Sequence, residues 1–193
     1  MKLAMVELGY GNTGSVALAL ERLGVTAELT CDPEVIAGAD KVLLPGVGAA
    51  GFAMQQVRAR GLEQVLKGIT APALGICLGM QLLFERSEED GVECLGIMPG
   101  SVRKMEPAPG RPVPHMGWSK LAVSDPEIGI DNGDYVYFAH SYACDDGPQT
   151  IAKAEYGQAV PAAVRKGNWT GAQFHPERSS KVGARFLETW LNA

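Results

Sequence analysis

The 193-residue sequence predicts an α/β fold: an open mixed sheet, largely parallel and flanked by helices, with antiparallel extension in the C-terminal half. Three observations predict it. Short apolar runs alternate with helix-periodic stretches through the first half, the pattern of a parallel sheet covered on both faces. The second half changes to short Val-, Tyr-, Phe- and Trp-rich segments separated by Gly, Pro and Asp turns, which suits antiparallel pairing. No repeat, low-complexity tract or linker divides the chain, so residues 1–193 are read as one domain with one sizeable core.

Each element has its own signal. Lys2–Leu8 is an apolar strand ending at Gly9. Ser15 is placed to cap a helix that carries Val16, Leu20 and Leu23 on one face and stops at Gly24. A strand near Thr26–Cys31 precedes a short helical turn opened by Asp32-Pro33. Lys41–Leu44 is a third strand, ended by Pro45-Gly46, and one helix is expected over roughly Gly51–Leu66. Ala71–Ile76 is a fourth strand that runs straight into a helix at Leu78–Arg86. Strands follow at Gly100–Met105, Lys120–Val123, Tyr135–Tyr142, Ile151–Glu155, Val160–Arg165 and Thr170–Phe174, and an amphipathic helix covers about Val182–Leu191. Tyr135, Tyr137 and Tyr142 read as core and rim aromatics at strand spacing, and Glu88-Glu89-Asp90 as a solvated loop.

Composition removes several function classes. A net charge of -5 lacks the clustered Lys and Arg of a nucleic-acid binder. No apolar run approaches the roughly 20 residues of a membrane span, and the start of the chain lacks the pattern of a secretory signal. Cys31, Cys77, Cys94 and Cys144 are widely spaced with no C-x-x-C pair, against a zinc ribbon or a disulfide scaffold. A reduced cytoplasmic setting, with no metal, is the simple expectation.

The strongest chemical signal is Gly75-Ile76-Cys77-Leu78-Gly79 at a strand-to-helix junction, a nucleophile elbow with sulfur in place of oxygen. A sharp turn projects the side chain off the sheet edge, and flanking glycines relieve crowding. A free thiol, with a pKa of about 8.5, needs a helix N-terminus or an imidazolium to become mostly thiolate at neutral pH. The second signal is His175-Pro176-Glu177 after a strand. Residues two apart on extended chain point the same way, so Glu177 can fix the tautomer of His175 and stabilise its charge. The third is Leu44-Pro45-Gly46-Val47-Gly48, a loop able to present a backbone N–H to a developing oxyanion beside the amide of Leu78. Such a donor is worth about 2.7–4 kcal/mol.

Each signal alone has an ordinary structural explanation: a buried cysteine, a chance surface pair, a plain turn. Together they make a complete constellation of nucleophile, base and orienting carboxylate. Gly9-Tyr10-Gly11-Asn12-Thr13-Gly14 competes with it, matching the G-x-G-x-x-G dinucleotide fingerprint with Asp32 downstream. A dehydrogenase reading leaves Cys77, His175 and Glu177 unused and little chain for a substrate domain. A catalytically silent module and a general Cys hydrolase are further alternatives; the first has no need of all three residues, and the second would turn over esters or peptides.

Gly75–Phe84 (GICLGMQLLF), Pro45–Gly48 (PGVG), Pro114–Trp118 (PHMGW), His140–Tyr142 (HSY) and Gln173–Glu177 (QFHPE) resemble class I glutamine amidotransferases. The resemblance runs from Gly9 to the C-terminus. PHMGW with PGVG makes the chain more similar to the glutaminase subunits of imidazole glycerol phosphate synthases than to those of pyridoxal phosphate synthases.

The resemblance implies that Cys77 attacks the amide of glutamine to give a glutamyl thioester and ammonia. His175 moves the protons and Glu177 orients it, while Val47 and Leu78 serve the oxyanion and Gly46, Gly48, Gln81, Ser141 and Tyr142 hold glutamine. It implies no cofactor. It also implies a (β/α)8-barrel cyclase partner that uses the ammonia to make imidazole glycerol phosphate and an aminoimidazole carboxamide ribonucleotide, with Asn12, His115, Met116, Trp118 and Tyr137 expected at the partner surface. Glutaminase activity is expected to be weak until the cyclase binds its ligand. Two positions depart from the family pattern. Ser119 replaces the usual Asn, which is expected to weaken a partner contact, and Arg178 replaces the usual Lys.

Overall fold

The chain's computed structural model describes residues 1–9 and 12–193. The first half contains β1 (Leu3–Val6), α1 (Thr13–Arg22), β2 (Ala27–Thr30), α2 (Pro33–Ala37), β3 (Lys41–Gly46), α3 (Ala50–Ala59), α4 (Leu62–Gly68) and β4 (Ala73–Cys77). After it come α5 (Leu78–Gln81), β5 (Arg86–Ser87), β6 (Val92–Glu93), β7 (Ser101–Lys104), β8 (His115–Val123), β9 (Tyr135–His140) and β10 (Tyr142–Cys144). The chain closes with β11 (Thr150–Glu155), β12 (Ala159–Lys166), β13 (Trp169–Ala172) and α6 (Ser180–Asn192).

A nine-stranded sheet runs in the order β2-β1-β3-β4-β13-β12-β11-β8-β9. The block from β2 to β13 is parallel. From β13 onward every pairing is antiparallel. The mixed α/β sheet is therefore present, its pairings among the described residues divided evenly between parallel and antiparallel, and its antiparallel extension is built wholly from the second half.

Strand alternation explains how the helices divide between the faces. Leu3, Met5 and Leu43 point to one side and pack with Val16 and Leu20 of α1 and Phe186, Leu187 and Trp190 of α6. Ala4, Val6, Val42 and Leu44 point to the other and meet Ile36, Met54, Val57, Leu62 and Leu66 from α2, α3 and α4. Lys41 is buried at the start of β3, where its ammonium donates to the carbonyls of Trp190 and Ala193 at the end of α6. No helix of the described residues is long and apolar enough to cross a membrane.

The structure corrects several local expectations. The first helix starts at Thr13, so Ser15 lies inside it and does not cap it. The helix expected over 51–66 is two helices, broken at Gly61, whose φ of +67 is left-handed. The helix expected over 78–86 is a single turn. Its bonds tighten from Leu82 N–H to the Leu78 carbonyl into three-residue steps at Leu83 and Phe84. Residues 78–84 are buried all round, so no amphipathic stripe marks where that helix stops. The chain then enters a second sheet, β10-β7-β5-β6, which local patterning did not foresee.

Candidate active site

Three loops converge at the carboxyl ends of adjacent parallel strands, the usual place for a ligand in an open α/β sheet. Gly46 at the end of β3 is the register partner of Cys77 at the end of β4. On the other side, β13 pairs Ala172 with Ile76 and leads directly into Gln173, Phe174 and His175.

Cys77 has φ 55 and ψ -111, a strained conformation for a residue with a side chain. The elbow exists because its neighbours are glycines. A Cβ on Gly79 would collide with the Leu44 carbonyl, and one on Gly75 would sit 2.6 Å from the Gly79 carbonyl oxygen. Because α5 is only one turn, it offers the sulfur less electrostatic help than the longer helix expected from the sequence.

His175 supplies the larger charge effect. Its Nδ1 lies 2.8 Å from Glu177 Oε1, and the two side chains are 8% and 1% exposed. Burial alone would lower the pKa of His175. Hydrogen bonding to Cys77 and to Glu177, with the charges of both, overrides that and pushes it up to about 10. The backbone holds the ring in place: His175 N–H donates to the Tyr137 carbonyl of β9, and the buried Ser179 Oγ donates to the His175 carbonyl at 2.7 Å. Glu177 Oε2 is buried and has no hydrogen-bond partner among the described residues. A small void beside the pair is lined by Asn12, Gly46 and Val47.

On the other side of Cys77 opens a pocket of about 240 Å³. Val47, Gly48, Leu78, Gln81, Ser141 and Tyr142, all expected at the site, line it together with Cys77. Gly46 sits behind this wall, against Leu78 and Gly79. Gly48 has φ +94, so the loop turns where a side chain would be strained. Gln81 Nε2 donates to the Tyr142 carbonyl at 2.9 Å and to Gln173 Oε1 at 3.0 Å. With its N–H groups used inside the protein, Gln81 can offer a ligand only its carbonyl oxygen.

Sequence reasoning missed four wall residues, Glu89, Pro114, Ala139 and His140, of which Glu89 and His140 bring polar side chains. The acidic run is not a loose solvated loop: Glu89 Oε2 accepts from Ala50 N–H and Asp90 Oδ2 from Gly51 N–H, so both cap α3. Burial pushes the Glu89 carboxyl upward, opposed by the Ala50 N–H and reinforced by Asp90. Its signal in the sequence was a carboxylate eleven residues beyond the elbow motif's first cysteine neighbour, Leu78, which no local pattern distinguishes from surface charge.

The expected partner-surface residues divide. Met116 and Trp118 are exposed on β8, with Tyr135 exposed beside them on β9. Tyr137 meets the edge of Trp118, and the Arg178 guanidinium lies over its ring. Asn12 is half-buried beside the His175–Glu177 void. His115 is placed elsewhere: it is 1% exposed and stacked on Phe138 and Tyr156. Ser119 likewise turns inward, to His115 Nε2 at 2.8 Å.

The dinucleotide fingerprint falls partly on Tyr10 and Gly11, outside the described residues. Asp32, its expected acidic partner, caps α2 by accepting from Glu34 N–H. No group of three or more His, Cys, Asp or Glu among the described residues is arranged to hold a metal.

The profile of the family "Glutamine amidotransferase class-I" matches residues 4–192. The chain belongs to this family. Among curated proteins, imidazole glycerol phosphate synthase subunit HisH of Xanthomonas axonopodis pv. citri is 49% identical over 97% of this chain and 96% of its own. The corresponding subunit HisH 1 of Vibrio vulnificus is 45% identical over 98% of this chain and 97% of its own. Within the class-I glutamine amidotransferases, the chain is thus a glutaminase subunit of the HisH group. The solved structure of a glutamine amidotransferase superposes with a TM-score of 0.74 over 97% of this chain and 98% of that one, at 23% identity. The glutaminase domain of Trypanosoma brucei CTPS gives 0.66 over 100% and 94%, at 17% identity. At those identities the likeness speaks to the fold, which this amidotransferase shares.

Proposed function

We propose that this chain, as a single domain, hydrolyses glutamine to glutamate and ammonia through a Cys77 thioester. It delivers the ammonia to a (β/α)8-barrel cyclase subunit in the step of histidine biosynthesis that makes imidazole glycerol phosphate. The observation that carries the reading is the convergence of Cys77, at the end of β4 and in a pocket wall, with the His175–Glu177 pair that follows the adjacent strand β13, in a chain 49% identical to a HisH subunit.

The placement of Cys77, His175 and Glu177 supports the following mechanism. Cys77 sulfur attacks the side-chain carbonyl carbon of glutamine, and the negative charge that develops on oxygen is met by backbone N–H groups of Val47 and Leu78. His175 gives its proton to the leaving nitrogen, so the C–N bond breaks and ammonia departs. The neutral imidazole then takes a proton from water, which attacks the thioester carbonyl, releases glutamate and restores the cysteine. Glu177 stays ionised and keeps His175 oriented throughout. Glu89, a carboxylate in the pocket wall, takes the α-ammonium of glutamine together with the Gln81 carbonyl, while Ser141 and Tyr142 complete the grip.

The exposed Met116 and Trp118, with the half-buried Tyr137, lie on the same hairpin as the pocket wall, which suits a partner docked over the site. Four free thiols, Cys31 among them exposed, suit a reduced cytoplasmic setting. The test is an ammonia-release assay with glutamine, alone and with a co-expressed barrel cyclase and its nucleotide ligand. Turnover that rises with the liganded partner supports the proposal. Absence of glutamine turnover in both conditions refutes it.

A further inference from the structure

Ser119 is outside the pocket, yet an unbroken chain of hydrogen bonds runs from it to the pocket wall. Ser119 Oγ is 2.8 Å from His115 Nε2, and His115 Nδ1 is 3.1 Å from His140 Nε2. His140 Nδ1 is 2.8 Å from the Tyr142 carbonyl, which is also the acceptor for Gln81 Nε2. From Gln81 the chain continues to Gln173, whose Nε2 approaches the Cys77 sulfur at 3.8 Å.

A strand does not ordinarily allow the first contact. Residues four apart on a regular strand have Cα atoms roughly 13 Å apart. Gly117, between His115 and Ser119, has φ +137, and this departure from regular strand geometry accompanies their approach. His115 and His140 face each other as register partners across β8 and β9.

The chemistry of the ends fixes the direction of every link. A carbonyl can only accept, so His140 carries its proton on Nδ1. In a neutral ring its Nε2 is then bare and accepts from His115 Nδ1–H. His115 Nε2 is bare in turn and accepts the Ser119 hydroxyl proton. Burial supports neutral rings, pushing both histidines down to about 4. Tyr156 and Phe138 stack on the faces of His115, which leaves the ring little freedom to turn.

We infer that His115 and His140 are positioning residues: locked by Ser119 as neutral Nδ1–H tautomers, they set the Tyr142 carbonyl and the Gln81 amide of the glutamine pocket. The inference rests on the pocket being the glutamine site. It also ties the hairpin that bears Trp118 to that pocket through a run of side chains joined at the Tyr142 carbonyl. The family pattern's Asn at position 119 has an amide N–H and can serve as the same donor.

The test combines a spectroscopic and a kinetic reading. The chain has three histidines, so long-range 1H–15N imidazole spectra of the intact protein at pH 7 resolve each one. His115 and His140 are expected as neutral Nδ1–H rings; either one protonated on Nε2 overturns the inference. Ser119→Ala, assayed with the cyclase present, is expected to raise KM for glutamine about fivefold, the worth of one hydrogen bond, with kcat little changed. Ser119→Thr and Ser119→Asn, which restore a donor, are expected to return KM to the wild-type value. An unchanged KM in Ser119→Ala overturns the positioning role. Failure of the wild type to use glutamine would instead remove the glutaminase reading, while the tautomers would still decide whether the relay exists.

Discussion

His175 Nδ1 sits 2.8 Å from Glu177 Oε1, and the two side chains are only 8% and 1% exposed, so a buried carboxylate faces the imidazole. That arrangement is costly for the fold unless the ring is cationic. It ties the protonation of His175 to both stability and chemistry.

The first prediction concerns pH. His175 is held up at about 10 in the fold, against about 6.5 for a free imidazole. A group raised on folding contributes stability that is full below its unfolded pKa and is lost as pH rises through the folded one. The Tm difference between wild type and His175→Asn should therefore be largest near pH 6 and shrink as the pH passes about 10. Calorimetric melts across that range check it.

Glu177→Gln keeps the shape and removes the charge. We predict a loss in kcat on the order of 100-fold or more, because His175 loses its orienting partner and its raised affinity for the proton. Steady-state ammonia release measures it. A loss of less than about threefold would remove Glu177 from the mechanism.

Much of this site was legible in sequence, and the reason is physical. Cys77 and its glycines form a local motif, because the strain at φ 55 must be relieved by immediate neighbours. His175 and Glu177 are two residues apart, so their pairing is also local. The parallel block was legible for the same reason, through strand and helix periods. Glu89 and His140 were not, since they reach the pocket through long-range pairing of the second sheet and of β8 with β9. His115 misled because its neighbours Met116 and Trp118 are exposed; only the packing of Phe138 and Tyr156 shows that its ring turns inward.

Glu89→Gln should raise KM for glutamine by about 10-fold or more, the worth of a charge-assisted bond to the α-ammonium. The new amide oxygen still accepts from Ala50 N–H, so α3 keeps its cap and the melting temperature should move little. Because burial raises the Glu89 carboxyl, wild-type KM should climb on acidification at a higher pH than an ordinary carboxylate would produce. Glutamine titrations across pH for both proteins check this.

Gly79→Ala should destabilise the protein by about 3 kcal/mol or more, since the new methyl group meets the Leu44 carbonyl inside the elbow. Denaturant unfolding monitored by tryptophan fluorescence measures it. A shift of under about 1 kcal/mol would mean that the elbow relaxes more easily than this packing allows.

Trp118→Ala should weaken binding of the barrel cyclase by about 2 kcal/mol, as expected of a buried aromatic anchor, and leave the fold intact. Titration calorimetry with the purified cyclase reads the change. Equal affinity for both proteins would move the interface away from β8.

The central claim is that Cys77 alone, among four cysteines, is the nucleophile toward glutamine. The direct measurement is peptide mass mapping after reaction with an electrophilic glutamine analogue, with free glutamine as competitor. The account predicts one label, on Cys77, suppressed by glutamine and absent in His175→Asn. A label on Cys31, Cys94 or Cys144 in its place, or an unlabelled Cys77 in protein that hydrolyses glutamine, would contradict it.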